Sequence, residues 1–400
     1  MIIGAATEHM IGIETAKEMG YKVFVTDGNP SSEGFQIADD YRVASTYDYN
    51  ATLEAAYDYI NKGNSIDGVM TLASDVPYTV AYVAKKLNLP GISMESARNA
   101  SEKIKMKTLF IKYKVPSPKF VVLTNKGELK SAISKLGFPV VIKPADSRGA
   151  RGVQLVHSQL DIDKAFDIAI NFSPEKKVIL EEYLSGPQLS TEGFIIDKKA
   201  YIPAIFDRNY EFLERFSPFI IENGGEMPSR YSKEYYDEVH DIMRQAALSL
   251  GIENGIIKGD LVIHEGKIKI IELAARMSGG FFGTVATRIS TGVDLIKINI
   301  DLAMGNKIEP SRFEIINNQA AAIRFSFPQP GKLKKVTGLE VIKEHPDCCY
   351  AHVFKRGGDT LTDFSSHPDR PAVVVASGKD LASSIKNANS LLDNLEWEYF

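Results

Sequence analysis

Apolar positions in the first 95 residues fall into short runs that alternate with stretches of helical spacing. MIIGAA (1–6) reads as a strand, GIETAKEMG (12–20) as a helix and KVFVTDGNP (22–30) as a strand closed by turn residues. NATLEAAYDYINKG (50–63) predicts a helix, IDGVMTLASD (66–75) a strand and VPYTVAYVAKKLNLP (76–90) another helix. Alternation of this kind predicts a parallel sheet with helices on its faces.

The texture changes at SMESARNASEKIKMKTLFIKYKVPSP (93–118), which predicts a lysine-rich helix ending in a proline-bounded turn. FVVLT (120–124) follows as a strand, then a helix near 126–137, the strand FPVVIKPA (138–145), the loop DSRGARG (146–152) and the strand VQLVH (153–157). After another helix come KVILEEYL (177–184), QLSTEGFIID (188–197) and KAYIPAIFD (199–207), all of strand character. A long helix over 233–250 precedes the hairpin GIIKGDLVIHEGKIKIIEL (255–273), with its turn at 264–267. Strands and a helix near 379–394 complete the chain. The expected fold class is α/β and α+β. It comprises an N-terminal parallel α/β domain (1–95), a two-lobed domain (96–305, lid lobe about 120–190) and a small C-terminal α+β domain (306–400).

Composition removes some functions. The 400 residues are 44% hydrophobic and 24% charged, which is ordinary for a globular protein. A net charge of −4 gives no reason to expect nucleic acid or an anionic membrane as partner. No stretch approaches the roughly 20 apolar residues of a membrane span, and the N-terminus lacks the basic region of a signal peptide. Cys348 and Cys349, the only cysteines, are adjacent and seldom bridge in that arrangement; a reducing, cytoplasmic compartment is expected.

Four stretches carry candidate chemistry. In IIGAATEHMIG (2–12) the G-x-G-x-x-G pattern of a dinucleotide fold fails, which disfavours an NAD(H)-dependent oxidoreductase. In VVIKPADSRGARGV (140–153), Lys143 ends an apolar strand, where a charge is costly unless used. The loop after it holds Ser147, Arg148, Gly149, Arg151 and Gly152. Its backbone N–H groups and cations suit phosphate, and a solvated surface hairpin is the alternative. In VILEEYLSGPQLSTEG (178–193) the strand runs into Glu181, Glu182, Tyr183 and Leu184, an edge suited to a flat purine; a solvated glutamate pair before a turn is the alternative, and the favoured one for this stretch taken alone. In GDLVIHEGKIKIIELAARMSGG (259–280), Asp260 and Glu272 lie at similar distances from the hairpin turn and can share one face. Paired carboxylates beside a phosphate site form a usual Mg²⁺ cage. Arg276 is placed to hold a phosphate or carboxylate oxygen; a structural Glu272–Arg276 ion pair is the alternative.

In this order and spacing the pieces resemble the ATP-grasp superfamily, in the branch of biotin carboxylase and carbamoyl phosphate synthetase. The resemblance spans nearly the whole chain and implies a pre-ATP-grasp domain followed by two ATP-grasp lobes. It identifies Lys103, 13 residues before Pro116 of YKVP, as the first nucleotide lysine and Lys143 as the second. The lid loop matches 146–152, the adenine hinge Glu181 to Leu184, and the acid near the nucleotide sugar Glu192. Asp260 and Glu272 match the metal carboxylates, and Arg276 the arginine that follows them. STGVDLIKINIDLAMG (290–305) is very similar to a family helix, and Arg324 falls where biotin carboxylases hold an active-site arginine. The chain departs from the pattern at Asp260, an aspartate in place of glutamate, at Ala274, where asparagine is frequent, and at Gln188. MSGG replaces the QVEH-like run of biotin carboxylases, and the R-x-[SG]-G-G ending resembles the amino-acid ligases.

What the resemblance implies is a carboxylate–amine ligase that uses ATP with Mg²⁺ or Mn²⁺ and acts on small-molecule substrates; a homodimer, common among relatives, is compatible with it, and the oligomeric state is open. A carboxylase of the biotin or aminoimidazole-ribonucleotide type, and an ATP-binding regulatory protein without turnover, are the other readings. Substrates are expected between the N-terminal domain and the segment 205–230, where Arg215, Glu222 and Arg230 stand.

Overall fold

A computed structural model describes residues 1–400. Three parallel strands, Ile2–Ile3, Phe24–Asp27 and Asp40–Val43, form the N-terminal sheet in that order. Helix Thr7–Glu18 follows the first strand and directs its N-terminal turn, with Glu8, toward the centre of the molecule. Asp40–Val43 is a half-exposed edge strand whose polar sequence carried no strand signal. The expected strand at 66–75 shrinks to one bridge between Ile2 and Met70. Its next backbone acceptors are used elsewhere: Thr71 O by the Asn299 amide at 3.2 Å and Leu72 O by Met277 N at 3.1 Å. The run thus fastens the N-terminal sheet to two distant segments.

The lysine-rich stretch forms two helices, Met94–Ser101 and Lys103–Lys112, broken at Glu102, whose ψ of 100° is extended. The lid lobe is a four-stranded antiparallel sheet ordered Phe120–Leu123, Val178–Glu182, Val140–Pro144, Gln154–Val156. Leu129–Leu136 and Ile162–Asn171 are amphipathic helices that bury Leu129, Ala132, Ile162, Ala165 and Phe166 against its strands.

Eight antiparallel strands make the largest sheet. Its order runs from Lys267–Ala274 through Gly255–His264, Gln188–Ile196, Lys199–Arg208, Gly224–Met227, Ala320–Phe325 and Ala372–Gly378 to Cys348–Val353. Strands from before and after residue 306 therefore share one hydrogen-bonded sheet. Helix Tyr236–Ser249 places Val239, Ile242, Met243, Ala246 and Ala247 on one stripe, and they share a core with Leu261, Ile270 and Leu273 of the sheet. The periodicity of one helix face against alternating strand positions accounts for this packing. Helix Leu295–Ala303 packs against the N-terminal helix in a second core. The small sheet Thr360–Leu361, Gly331–Thr337, Glu396–Tyr399 and helix Leu381–Leu392 complete the C-terminal part.

Candidate active site

A cavity of about 780 Å³ opens between the lid-lobe sheet and the edge of the large sheet. Residues 6–8 and 73–75 of the N-terminal part and Phe354, Lys355, His367, Pro368 and Arg370 of the C-terminal part complete its wall.

On the lid side, a lysine from strand Val140–Pro144 and one from helix Lys103–Lys112 converge on one carboxylate of strand Val178–Glu182. Lys143 Nζ lies 2.9 Å and Lys107 Nζ 2.5 Å from the two oxygens of Glu181, and all three side chains are buried. Burial pushes Lys107 down to about 8, against the pull of Glu181. Burial opposes ionisation of Glu181 too, but the two lysines outweigh it and hold its carboxyl below the usual range. This wall therefore carries one positive charge in excess. The hinge residues Glu182, Tyr183 and Leu184 line the cavity with Val141 and Ile271. Tyr183 N donates to Pro139 O, whereas the Leu184 N–H makes no backbone hydrogen bond and is free for a ligand.

From the lid loop, Ser147, Arg148, Gly149 and Ala150 reach the cavity. Arg148 Nε donates to Asp75 Oδ2 at 3.1 Å, and its guanidinium lies 4.5 Å from the Tyr47 ring centre. Gly149 O accepts from His367 N at 3.0 Å. Gly149 has φ +64°, and an added Cβ would come within 3.1 Å of Pro368, so both backbone conformation and close approach favour glycine here. The lid loop is thus touched by both the N-terminal and the C-terminal parts.

Opposite, Asp260 and Glu272 are direct cross-strand partners. The register is shifted between Asp260 and Leu261, leaving Ile271 as the extra residue that brings the carboxylates level. Lys103 Nζ bonds Glu272 Oε1 at 2.9 Å; Asp260 takes Arg208 Nη1 at 2.9 Å and the Lys258 ammonium. Burial disfavours both charges, yet Lys103 and Lys143 hold Glu272 well below the usual carboxylate range, and Arg208 and Lys258 lower Asp260. Both acids are therefore ionised and present hard oxygen donors. No group of three or more His, Cys, Asp or Glu residues forms a closed metal cage. A pair of carboxylates fits Mg²⁺ delivered with a nucleotide, since that ion keeps waters and phosphate oxygens as its other ligands. Ala274 lines the cavity beside the pair and adds no donor.

Arg276 lines the cavity, bonded to Asp75 Oδ1 at 3.4 Å and to Met277 O at 2.7 Å. The loop after it is held from beneath. Glu8 accepts from Gly280 N at 3.0 Å, Phe281 N at 2.8 Å and Thr284 Oγ1 at 3.0 Å. Glu192 accepts from Ser278 N at 3.1 Å. Gly279 N alone in Ser278–Phe281 makes no hydrogen bond within the chain.

Some expected positions are placed elsewhere. Glu192 is wholly buried under residues 278–283 and does not line the cavity; its oxygen would lie 2.8 Å from a Cβ at Gly283. Arg324 turns to the other face of its strand, pairs with Glu226 at 2.9 Å and is buried, while its neighbour Phe325 lines the cavity. Arg151 points outward and bonds Arg148 O, and Gly152 packs against Pro144 and Phe172. Arg215 donates to Phe327 O and lies over Phe212 and Phe216, and Arg230 pairs with Asp207 and Glu226, both away from the cavity. Of that trio only Glu222 lines the cavity, shared by Arg208 at 2.5 Å and Arg370 at 3.6 Å. Glu8, Asp75, Lys107, Arg208 and Arg370 were missed because each meets its oppositely charged or main polar partner on another segment. Lys107 alone left a trace, as a lysine on the buried side of an otherwise apolar helix face.

Two lobes closing on a cavity, with lysines on one wall and a carboxylate pair on the other, define the class: an ATP-grasp protein. The family model described as carbamoyl-phosphate synthase L chain, ATP binding domain, matches residues 95–311, more than half of the chain. The chain belongs to that family, for which ATP with Mg²⁺ is the cofactor pair. A second, described as L-amino acid ligase C-terminal domain 2, matches residues 324–399. Among solved structures, the L-amino acid ligase of Bacillus licheniformis is 21% identical, with a TM-score of 0.84 over 100% of this chain and 98% of that one. An uncharacterized protein, y4rH, of Sinorhizobium fredii is 22% identical over 399 residues, covering 96% of this chain and 79% of that protein. The carbamoyl phosphate synthase large chain of Clostridium acetobutylicum is 23% identical over 307 residues, 74% of this chain but 27% of that protein. No helix is long and apolar enough to cross a membrane.

Proposed function

We propose that the protein is an ADP-forming ligase that activates a small carboxylate as an acyl phosphate and joins it to an amine. The observation carrying this reading is the ionised pair Asp260–Glu272, set between the phosphate-side lysines and Arg276 in one cavity. The free Leu184 N–H and the apolar Val141 and Ile271 suit adenine. Lys103 and Lys143 would exchange their carboxylate partners for phosphate oxygens, and Asp260 and Glu272 would hold Mg²⁺, which screens the triphosphate. Arg276 and the unbonded Gly279 N–H offer donors to the acceptor carboxylate and to the charge on the transferring group. Asp75 and Met277 O orient that guanidinium. Closure of 146–152 excludes water from a labile acyl phosphate. The amine then displaces phosphate.

In this reading residues 1–95, 96–305 and 306–400 are the functional units, and the two free cysteines suit the cytoplasm. Glu272→Gln tests it: substrate-dependent ADP formation should be lost with far-UV circular dichroism unchanged. Normal turnover by that variant overturns the metal assignment.

A further inference from the structure

The C-terminal part contributes a second cationic patch to the cavity, separate from the phosphate-side lysines. Arg370 follows the short helical turn His367–Asp369, and its guanidinium lies flat on Phe325, 3.5 Å from the ring centre. Nε donates to His367 O at 2.9 Å and Nη1 to Glu222 O at 3.1 Å, which fixes the plane of the fork. Nη2 has no partner. The strands Cys348–Val353 and Ala372–Gly378 pair with Val353 opposite Ala372, and Phe354 N bonds Pro371 O at 2.8 Å. One further step along that ladder brings Lys355 level with Arg370. Lys355 lines the cavity, is only half-buried, and its ammonium enters no ion pair or hydrogen bond.

The counter-ions nearby are already shared. Glu222 serves Arg208 and Arg370, and Asp260 serves Arg208 and Lys258. Four cations, Arg208, Lys258, Lys355 and Arg370, thus meet two carboxylates on this wall. Burial lowers Arg370 to about 10, against the pull of Glu222, as expected of a cation short of counter-charge. Arg370 is linked to Asp260 only through three successive ion pairs, by way of Glu222 and Arg208, so it stands apart from the Asp260–Glu272 carboxylate pair.

We infer that Arg370 and Lys355 form an oxyanion subsite for the second substrate, so that the amine carries its own phosphate or carboxylate group. The fixed guanidinium offers its open edge and the lysine a mobile point charge, a combination that binds either oxyanion. Anchoring the anion there holds the amine in the same cavity that Arg276 lines. This inference rests on the ligase reading.

The test is calorimetric titration of the full chain saturated with ADP and Mg²⁺, using phosphoethanolamine, glycine and ethanolamine as probes. At least one anionic probe should bind ten or more times more tightly than ethanolamine, and which of the two does so identifies phosphate or carboxylate. Lys355→Glu should weaken that probe at least tenfold while leaving the ADP dissociation constant unchanged; this side chain is half exposed and bonded to nothing, so the fold does not depend on it. Arg370→Lys, which keeps the charge but loses the fork, should weaken the probe with ADP affinity intact. Equal binding of all three probes, no binding of any, or unchanged affinity in Lys355→Glu overturns the subsite while the ligase reading stands. Failure of ADP itself to bind overturns both.

Discussion

Glu192→Gln separates the buried support of the site from its reacting wall. Glu192 is fully buried, and burial raises its carboxyl from 4.5 to about 7, despite the Ser278 hydrogen bonds and the more distant Lys258 and Arg276. Between those values the folded protein holds a proton that the unfolded chain releases. The wild type therefore loses stability as pH rises through that window, and above it carries the full cost of a buried charge. A shift from 4.5 to about 7 corresponds to about 3 kcal/mol at ~1.4 kcal/mol per unit. Glutamine has nearly the same shape and cannot ionise, so its stability does not follow this term. Urea denaturation of both proteins at pH 5 and pH 8.5 gives the comparison. The stability of Glu192→Gln relative to wild type should rise by about 2–3 kcal/mol from the lower to the higher pH, the rest of the change falling below pH 5, where the unfolded carboxyl begins to ionise. A difference that stays constant across the range would refute the assignment of Glu192 as a buried carboxyl protonated on the acid side of neutrality.

Two further predictions concern the phosphate wall. Lys143→Ala removes one of two lysines beside Glu181 and should weaken ADP binding at least tenfold by calorimetry; unchanged affinity removes Lys143 from the nucleotide site. Glu181→Ala leaves Lys107 and Lys143 buried without their shared counter-ion. It should cost about 3–5 kcal/mol in urea denaturation, and ADP with Mg²⁺ should restore part of the loss by supplying phosphate charge; a loss below ~1 kcal/mol, the range of an exposed pair, would contradict the buried triad.

Legibility followed the range of the interactions. The hairpin 255–273 and its carboxylate pair were readable because a short turn fixes which residues stand opposite, although the bulge at Ile271 that makes the register work left no mark in the sequence. Lys143, the lid loop and the hinge were readable as charge or turn residues at the ends of apolar runs. Arg324 misled because strand parity decides its direction, and a pattern centred on AAAIRF does not reveal which face meets the cavity. Glu192 shares its parity with the cavity-lining Gln188 and Ser190, yet the irregularity between Glu192 and Phe194 and the overlying loop 278–283 bury it. Asp75, Glu8 and Arg370 gain meaning only when three parts of the chain close around one space, which no local pattern encodes. The strand at 66–75 failed for a related reason: its run was apolar enough, but its acceptors went to Asn299 and Met277.

Oxygen transfer during turnover tests the central claim most directly. Pairs of small carboxylates and amines are screened with ATP and Mg²⁺ for phosphate release, and an active pair is repeated with an ¹⁸O-labelled carboxylate. Acyl phosphate formation predicts ADP, a coupled product and one ¹⁸O atom in each phosphate released. Phosphate without label, or AMP in place of ADP, would contradict it.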